Sequence, residues 1–219
     1  RVKIYPAQIL EATLPCKGVF EEGFNLNNIK TAYLAAKACQ IQEHIIKKEI
    51  PQLRAVPGRF ECINLGQPFK VIVDYAHTPD GLEKLLEAVK NTAKKRQGNV
   101  ILVVGCGGDR DREKRPKMGE IATQIADQVI FTQDNPRTED PKVIIQQMIA
   151  PLKDNANWQV VQDREAAIIE AITKATDKDS VVIAGKGHET VQIMATKTLP
   201  FDDRVTAKKA LNKRGYTCA

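Results

Sequence analysis

The side chains best suited to chemistry fall in four short runs: DYAHTP (Asp74–Pro79), GCGGDRDREKRP (Gly105–Pro116), TQDNPRTEDP (Thr132–Pro141) and GKGHE (Gly185–Glu189). In the third run Asp134, Asn135 and Pro136 build tight turns by bonding the local backbone and fixing φ. Asp140 reads as a helix N-cap and Pro141 as the first helical residue. Turn building accounts for everything here except Arg137. A guanidinium in a fixed loop is a planar, permanently charged fork that grips a carboxylate or a phosphate. A plain turn and an aimed arginine both remain open at this point.

The other runs also carry two readings each. GCGGDRD opens like a dinucleotide fingerprint, but Arg110 stands where the third glycine belongs, which disfavours a dehydrogenase. The run is then either a plain strand-to-helix turn or a glycine-rich loop presenting Arg110 to an anion; Arg112, Lys114 and Arg115 are expected on a solvated face or at the mouth of the site. In GKGHE the two glycines let backbone approach a ligand, and Glu189 can hold an ammonium. His188 reads more readily as a local hydrogen-bonding residue than as a base. DYAHTP offers Asp74, Tyr75 and His77 without a serine or cysteine on a nucleophile elbow and without metal-cluster spacing. Asp74 therefore contacts a nucleotide or caps its strand. Nowhere in the 219 residues does G-x-x-x-x-G-K-[ST] occur, so they contain no phosphate-cradling P-loop.

Each run follows an apolar stretch. Strands are expected at Phe69–Val73, NVILVVG, QVIF, WQVVQ and SVVIAG, alternating with helices over about Gly81–Lys95, Lys117–Ala126, Pro141–Ile149 and Asp163–Ala175. That alternation predicts an α/β fold with a doubly wound, mostly parallel sheet. Open sheets of this kind bind ligands beyond the carboxyl ends of their strands, so the four runs are expected to converge on one rim. Ahead of them, Asn25 to Glu49 shows helical spacing (Ile29, Ala32, Tyr33, Ala36, Ile41, Ile45), followed by a linker centred on Val56-Pro57-Gly58.

The chain is long enough for one sizeable domain, or for one domain and part of another. Its net charge of +6 is interspersed, with no basic block, which argues against nucleic acid as a partner. Cys16, Cys39, Cys62, Cys106 and Cys218 are odd in number and lack C-x-x-C spacing, as expected of free thiols in a reducing compartment. With no signal peptide and no spanning apolar run, a soluble, cytoplasmic protein without membrane association is expected. The start at Arg1, without methionine, is read as that of a piece of a longer protein.

Taken in order, VPGRFE, VDYAHTPDGLEKLL, GCGGDRD, DNPRTEDP, GKGHE and DDRVTA resemble the carboxyl-terminal part of the bacterial Mur ligases, over about Gly23 to Lys209. The resemblance implies a Rossmann-like carboxyl-terminal domain over residues 57–219, preceded by the helical end of a central ATP-binding domain over residues 1–56. It implies an enzyme of peptidoglycan synthesis that uses ATP and Mg2+ to turn the carboxylate of UDP-MurNAc-L-Ala-D-Glu into an acyl phosphate, which the amine of meso-diaminopimelate attacks. The P-loop and the UDP-MurNAc domain would lie in amino-terminal and central domains absent from these residues, so the chain alone should not turn over.

Position by position, Asn28, Arg59 and Asp74 match the family's nucleotide contacts. Arg110, Asp134, Asn135, Pro136, Arg137, Gly185 and Glu189 match its amino-acid pocket. DNPR resembles the signature of the diaminopimelate-adding members. Diaminopimelate is lysine with a second carboxylate, and a charged hydrogen-bonding pair contributes about 1.5–3 kcal/mol; a site built for such a group can reject an analogue lacking it by roughly 10⁴. No catalytic residue is assigned, and neither His77 nor His188 is adopted as the base. The alternatives are a non-catalytic small-molecule-binding module of the same fold and a lysine-adding or folylpolyglutamate-type amide ligase. The chain departs from the family pattern at Glu21-Glu22 and at Glu113.

Overall fold

Two apolar runs set the middle of the sheet. VILVV (β3, Val100–Val104) and SVVIA (β6, Ser180–Ala184) are buried at every position, as strands are when helices cover both faces. The computed structural model describes residues 23–53, 56–153 and 157–217, so Cys16, Cys218, Glu21 and Glu22 lie outside the described residues. Its contacts form two units that divide between residues 55 and 56.

In the carboxyl-terminal unit the remaining strands of the main sheet are β1 (Glu61–Cys62), β2 (Lys70–Asp74), β4 (Gln128–Phe131) and β5 (Trp158–Val160), in the order β1-β2-β6-β3-β4-β5. Only β1 runs antiparallel, setting Glu61 opposite Val73; the other pairings are parallel. Helices α3 (Pro79–Arg96), α4 (Lys114–Ile125) and α5 (Pro141–Ile149) pack side by side on one face. There Leu82, Leu86, Val89, Met118, Ile144 and Met148 meet Leu102, Val104, Phe131 and Val182. Helices α6 (Arg164–Lys174) and α7 (Asp203–Lys213) cover the other face, Ile168, Ile172 and Leu211 meeting Val71, Ile101, Val103 and Ile183. Alternate residues of β3 thus serve opposite cores, as the two-residue strand period requires. The chain leaves β3 for α4 on one face and leaves β6 for α7 on the other. Their diverging ends open the crevice where such sheets take ligands.

Local chemistry sets the helix starts. Thr78 accepts from the amide of Gly81 with Pro79 behind it, and Asp140 accepts from Lys142 N with Pro141 behind it. Asp163 and Asp202 cap α6 and α7 in the same way. The Thr78 cap moves the start of α3 ahead of the expected Gly81, and α4 begins at Lys114 rather than Lys117. Sequence reading missed β1, α7 and the hairpin of β7 (Val191–Ile193) and β8 (Thr198–Pro200).

The amino-terminal unit holds α1 (Gly23–Ala38), α2 (Glu43–Glu49) and a 3-10 turn at Ile50–Gln52. Ile29, Tyr33, Ile46 and Ile50 form its core. Ile41 and Ile45, expected on the same stripe, are exposed, because the chain turns through Gln40 at φ 63° and restarts the helical phase. No described helix is long and apolar enough to cross a membrane. Cys39, Cys62 and Cys106 are free thiols.

Candidate functional site

The loops after β2, β3, β4 and β6 do meet at the carboxyl ends of the strands, around a cavity of about 380 Å³. Arg110, Asp134, Asn135, Arg137, Gly185 and Glu189 line it, joined by Tyr75, His77, Thr78, Asp111 and Lys114. Pro136 does not line it; it is buried behind, with its carbonyl packed so closely that a Cβ on Gly108 would lie 1.9 Å away. A larger hollow of about 750 Å³ adjoins the amino-terminal ends of β4 and β5. It lies at the wrong end of the strands for a sheet of this type, and none of the four loops reaches it.

Arg137 sits at φ 51°, in the left-handed region that costs a non-glycine residue about 1–3 kcal/mol. The surrounding main chain holds it there: its amide donates to Ile193 O at 3.0 Å on β7. The guanidinium donates through Nη1 to Gly108 O at 2.7 Å and, more weakly, to Asn135 O at 3.5 Å. No acidic side chain pairs with it among the described residues, so most of its donors remain for a ligand. Gly107 makes the room, since a Cβ there would stand 2.9 Å from that Nη1. Gly105 lies likewise against Thr132 O, at 2.4 Å from a hypothetical Cβ. The glycines of GCGG are explained by one loop packing on the next.

Two carboxylates clasp the loops bearing Arg110 and Arg137. Asp109 accepts from Thr138 Oγ1 at 2.7 Å and Thr138 N at 3.1 Å, while Glu139 accepts from Asp109 N at 2.6 Å. Arg115 completes the clasp with two 2.9 Å contacts to Glu139. Its side chain is 0 % exposed and outside the cavity lining, which corrects the expectation of a solvated face or of the mouth of the site: a charge this deep is tolerated because it is paired. The Arg115 bonds hold the Glu139 carboxyl down at about 2. Arg112 is exposed and 3.3 Å from Glu139, and Lys114 lines the cavity. Glu113 bonds through its amide to Asp111 Oδ1.

On the opposite wall Asn135 Nδ2 donates to Glu189 Oε2 at 2.7 Å, and buried Lys186 donates to the same oxygen at 2.9 Å. Burial alone would raise the Glu189 carboxyl, but the Lys186 bond and charge, Asn135 and Arg137 outweigh it and hold it low. Gly185, at φ 115°, brings the backbone close to Asp134, whose Oδ2 would lie 2.8 Å from a Cβ there. Lys186 carried no signal in the sequence, where a lysine between glycines looks solvated.

Asp74 and Arg59 are outside this lining. Both Asp74 oxygens are engaged at 2.7 Å by the amides of Phe60 and Ala76. Burial raises its carboxyl, partly offset by those amides and by Arg59. Asp74 thus caps its strand and fixes the residues beside Arg59. The Arg59 guanidinium lies 4.9 Å over the Tyr75 ring, which packs against His77 and His188 at centroid distances of 4.6 and 5.1 Å. Asn28 is exposed on α1, in the other unit. No group of three or more potential metal ligands occurs among the described residues.

The cavity therefore carries fixed charges of both signs, with cationic Arg137, Arg110 and Lys114 facing carboxylates of Asp134 and Glu189. That distribution fits a zwitterion with more than one ionised end. The chain is 48% identical over 193 residues to a relative from Oceanobacillus iheyensis named UDP-N-acetylmuramoyl-L-alanyl-D-glutamate--2,6-diaminopimelate ligase, covering 88% of the chain and 38% of the relative. A relative of the same name from Halalkalibacterium halodurans is 48% identical over 191 residues, at 87% and 38% coverage. A solved structure of that name matches with a TM-score of 0.71 and 36% identity, over 92% of this chain and 41% of the other. The chain spans about two-fifths of the length of these proteins. The family described as Mur ligase, glutamate ligase domain, matches residues 58–187, more than half of the chain, and the chain belongs to that family.

Proposed function

We propose that these residues are the amino-acid-binding part of an ATP-dependent ligase that joins meso-diaminopimelate to UDP-MurNAc-L-Ala-D-Glu in cytoplasmic peptidoglycan synthesis. The observation that carries this reading is Arg137: a residue in the left-handed backbone region whose main-chain-anchored guanidinium lines the cavity with no acidic partner among the described residues. The names of the relatives at 48% identity support it. In the reaction, the substrate carboxylate takes the γ-phosphoryl group of ATP, giving an acyl phosphate and ADP. The amine then attacks the acyl carbon, phosphate leaves, and the amine gives up a proton.

The residues of this chain hold the incoming amino acid. Arg137 pairs with the carboxylate that distinguishes diaminopimelate from lysine, Arg110 with the other, and Glu189 and Asp134 with the ammonium that does not react. Lysine would leave Arg137 desolvated and unpaired, at a cost of about 1–3 kcal/mol or more. Fixing the nucleophile in this way supplies orientation. Residues 1–56 belong, in this reading, to the central ATP-binding domain; Asn28 in that unit, and Arg59 and Asp74 in the carboxyl-terminal unit, are each taken as nucleotide contacts. ATP arrives with Mg2+, which supplies charge neutralisation on the phosphates; the described residues form no cluster to hold it. With no P-loop in its 219 residues, the chain alone is expected to bind and not to turn over.

Calorimetric titration with meso-diaminopimelate and with L-lysine tests the reading. The chain should prefer meso-diaminopimelate by at least about tenfold, the equivalent of 1.4 kcal/mol, and Arg137→Ala should abolish the preference. Equal affinity of the unaltered chain for the two ligands would overturn it.

A further inference from the structure

Lys186 is 0 % exposed, in the loop directly after β6. An ammonium has three N–H donors, and here each has its own acceptor: Asn135 Oδ1 at 2.8 Å, Glu189 Oε2 at 2.9 Å and Val191 O at 2.7 Å. None is left for a ligand. The bonds form a closed figure, because Asn135 Nδ2 also donates to Glu189 Oε2 and Ile193 N donates to Asn135 Oδ1 at 3.0 Å. One buried cation thus ties together the loop after β4, the loop after β6 and strand β7. Glu189 Oε2 is fully occupied on its inner side, and Oε1 accepts no hydrogen bond among the described residues.

We infer that Lys186 is a positioning residue: it anchors one oxygen of Glu189 so that the other faces the cavity, fixed and ionised, to receive the ammonium group of the bound amino acid. The inference rests on the reading of the cavity as an amino-acid pocket. Glu189 could not do this alone. It is half-buried in a wall it shares with Asp134, and burial pushes its carboxyl up unless a cation opposes it. The charges that face it are Lys186 on its own loop, Arg137 from the loop after β4 and Arg164 from α6, with His188 as its chain neighbour. Of these cations only Lys186 hydrogen-bonds to it, so its removal both frees the side chain and favours the neutral form, which offers an ammonium no counter-charge.

The test uses Lys186→Met, which keeps the stem and removes the charge, together with Glu189→Gln and the double variant, each checked for folding by its amide NMR spectrum. In Lys186→Met, carbon-detected NMR should show the Glu189 carboxyl titrating at least about one unit higher, equivalent to a tenfold change in its protonation equilibrium. Binding of meso-diaminopimelate should then fall by up to about tenfold per unit of that rise at pH values below both titration midpoints, and the loss should shrink as pH rises above them and the carboxyl ionises. In the Glu189→Gln background the same substitution should change binding by less than about twofold, because the two residues act as a unit. An unchanged Glu189 titration, or a pH-independent loss of the same size in both backgrounds, would overturn the inference and leave Lys186 a purely structural residue. If the unaltered chain showed no preference for meso-diaminopimelate, the pocket reading would fail, while the carboxyl titration would still decide whether Lys186 sets the state of Glu189.

Discussion

Truncating Asp203 to Ala should strand a charge in the middle of the carboxyl-terminal unit. Arg164 and Asp203 are both 0 % exposed, and Nε and Nη2 of the arginine each donate to one carboxylate oxygen at 2.8 Å. Arg164 also donates to Ala184 O at 3.0 Å and Gln133 O at 3.4 Å, so the pair braces the end of β6 and the loop after β4 from beneath. Removing one partner of a buried pair costs about 3–5 kcal/mol, because the remaining charge is uncompensated. For a domain of this size each kcal/mol lowers Tm by about 2–4 °C, so Asp203→Ala should melt roughly 6–20 °C lower. Replacing both residues by apolar side chains, as in Arg164→Met with Asp203→Leu, strands nothing and should cost far less than the single changes summed. Urea unfolding followed by circular dichroism, on the unaltered chain, both single variants and the double, gives the coupling energy directly. A loss below about 1 kcal/mol for Asp203→Ala, the range of an exposed pair, or strict additivity in the double variant, would refute the reasoning.

Two further outcomes follow from the site's framework. Glu139, held at about 2 against an ordinary 4.5, contributes stability that is complete above 4.5 and lost as pH falls from there toward 2; Glu139→Gln should unfold at lower urea at pH 7 and show a flatter acid limb, and an unchanged profile would speak against the clasp. Gly58 sits at φ 66° with a hypothetical Cβ 2.0 Å from His188 N, so Gly58→Ala should force the loop after β6 away and cost about 1–3 kcal/mol, which a thermal melt equal to that of the unaltered chain would contradict.

The parts of the fold visible in the sequence are those written locally. β3 and β6 announce themselves as uninterrupted apolar runs, and α5 begins where the Asp140-Pro141 pair says it should. The convergence of the four loops follows from strand direction alone. α7 was not legible because its buried face leans on small residues, Ala207 and Ala210 with Leu211, and gives no strong apolar stripe. The β7–β8 hairpin was not legible because β8 is exposed throughout and β7 is held from outside: Ile193 O takes the amide of Arg137, and Asn135 Oδ1 takes that of Ile193.

The buried charged side chains that sequence reading misplaced or passed over share one feature. Arg115 meets Glu139 across 24 positions, Arg164 meets Asp203 across 39, and Lys186 meets Asn135 across 51. Partners so distant leave no trace in local spacing, which singles out neither Arg164 nor Lys186 and leaves Arg115 on a solvated face or at the mouth of the site. Asp74 shows the converse: a strand-end carboxylate readable from sequence accepts from two nearby amides.

The most direct measurement is the structure of the chain with meso-diaminopimelate bound, solved crystallographically after soaking. The Arg137 guanidinium should lie within about 2.7–3.2 Å of the carboxylate that lysine lacks, with an ammonium of the same molecule against Glu189 Oε1. A ligand bound in the cavity with Arg137 turned to solvent, or with that carboxylate held by other groups, would contradict it.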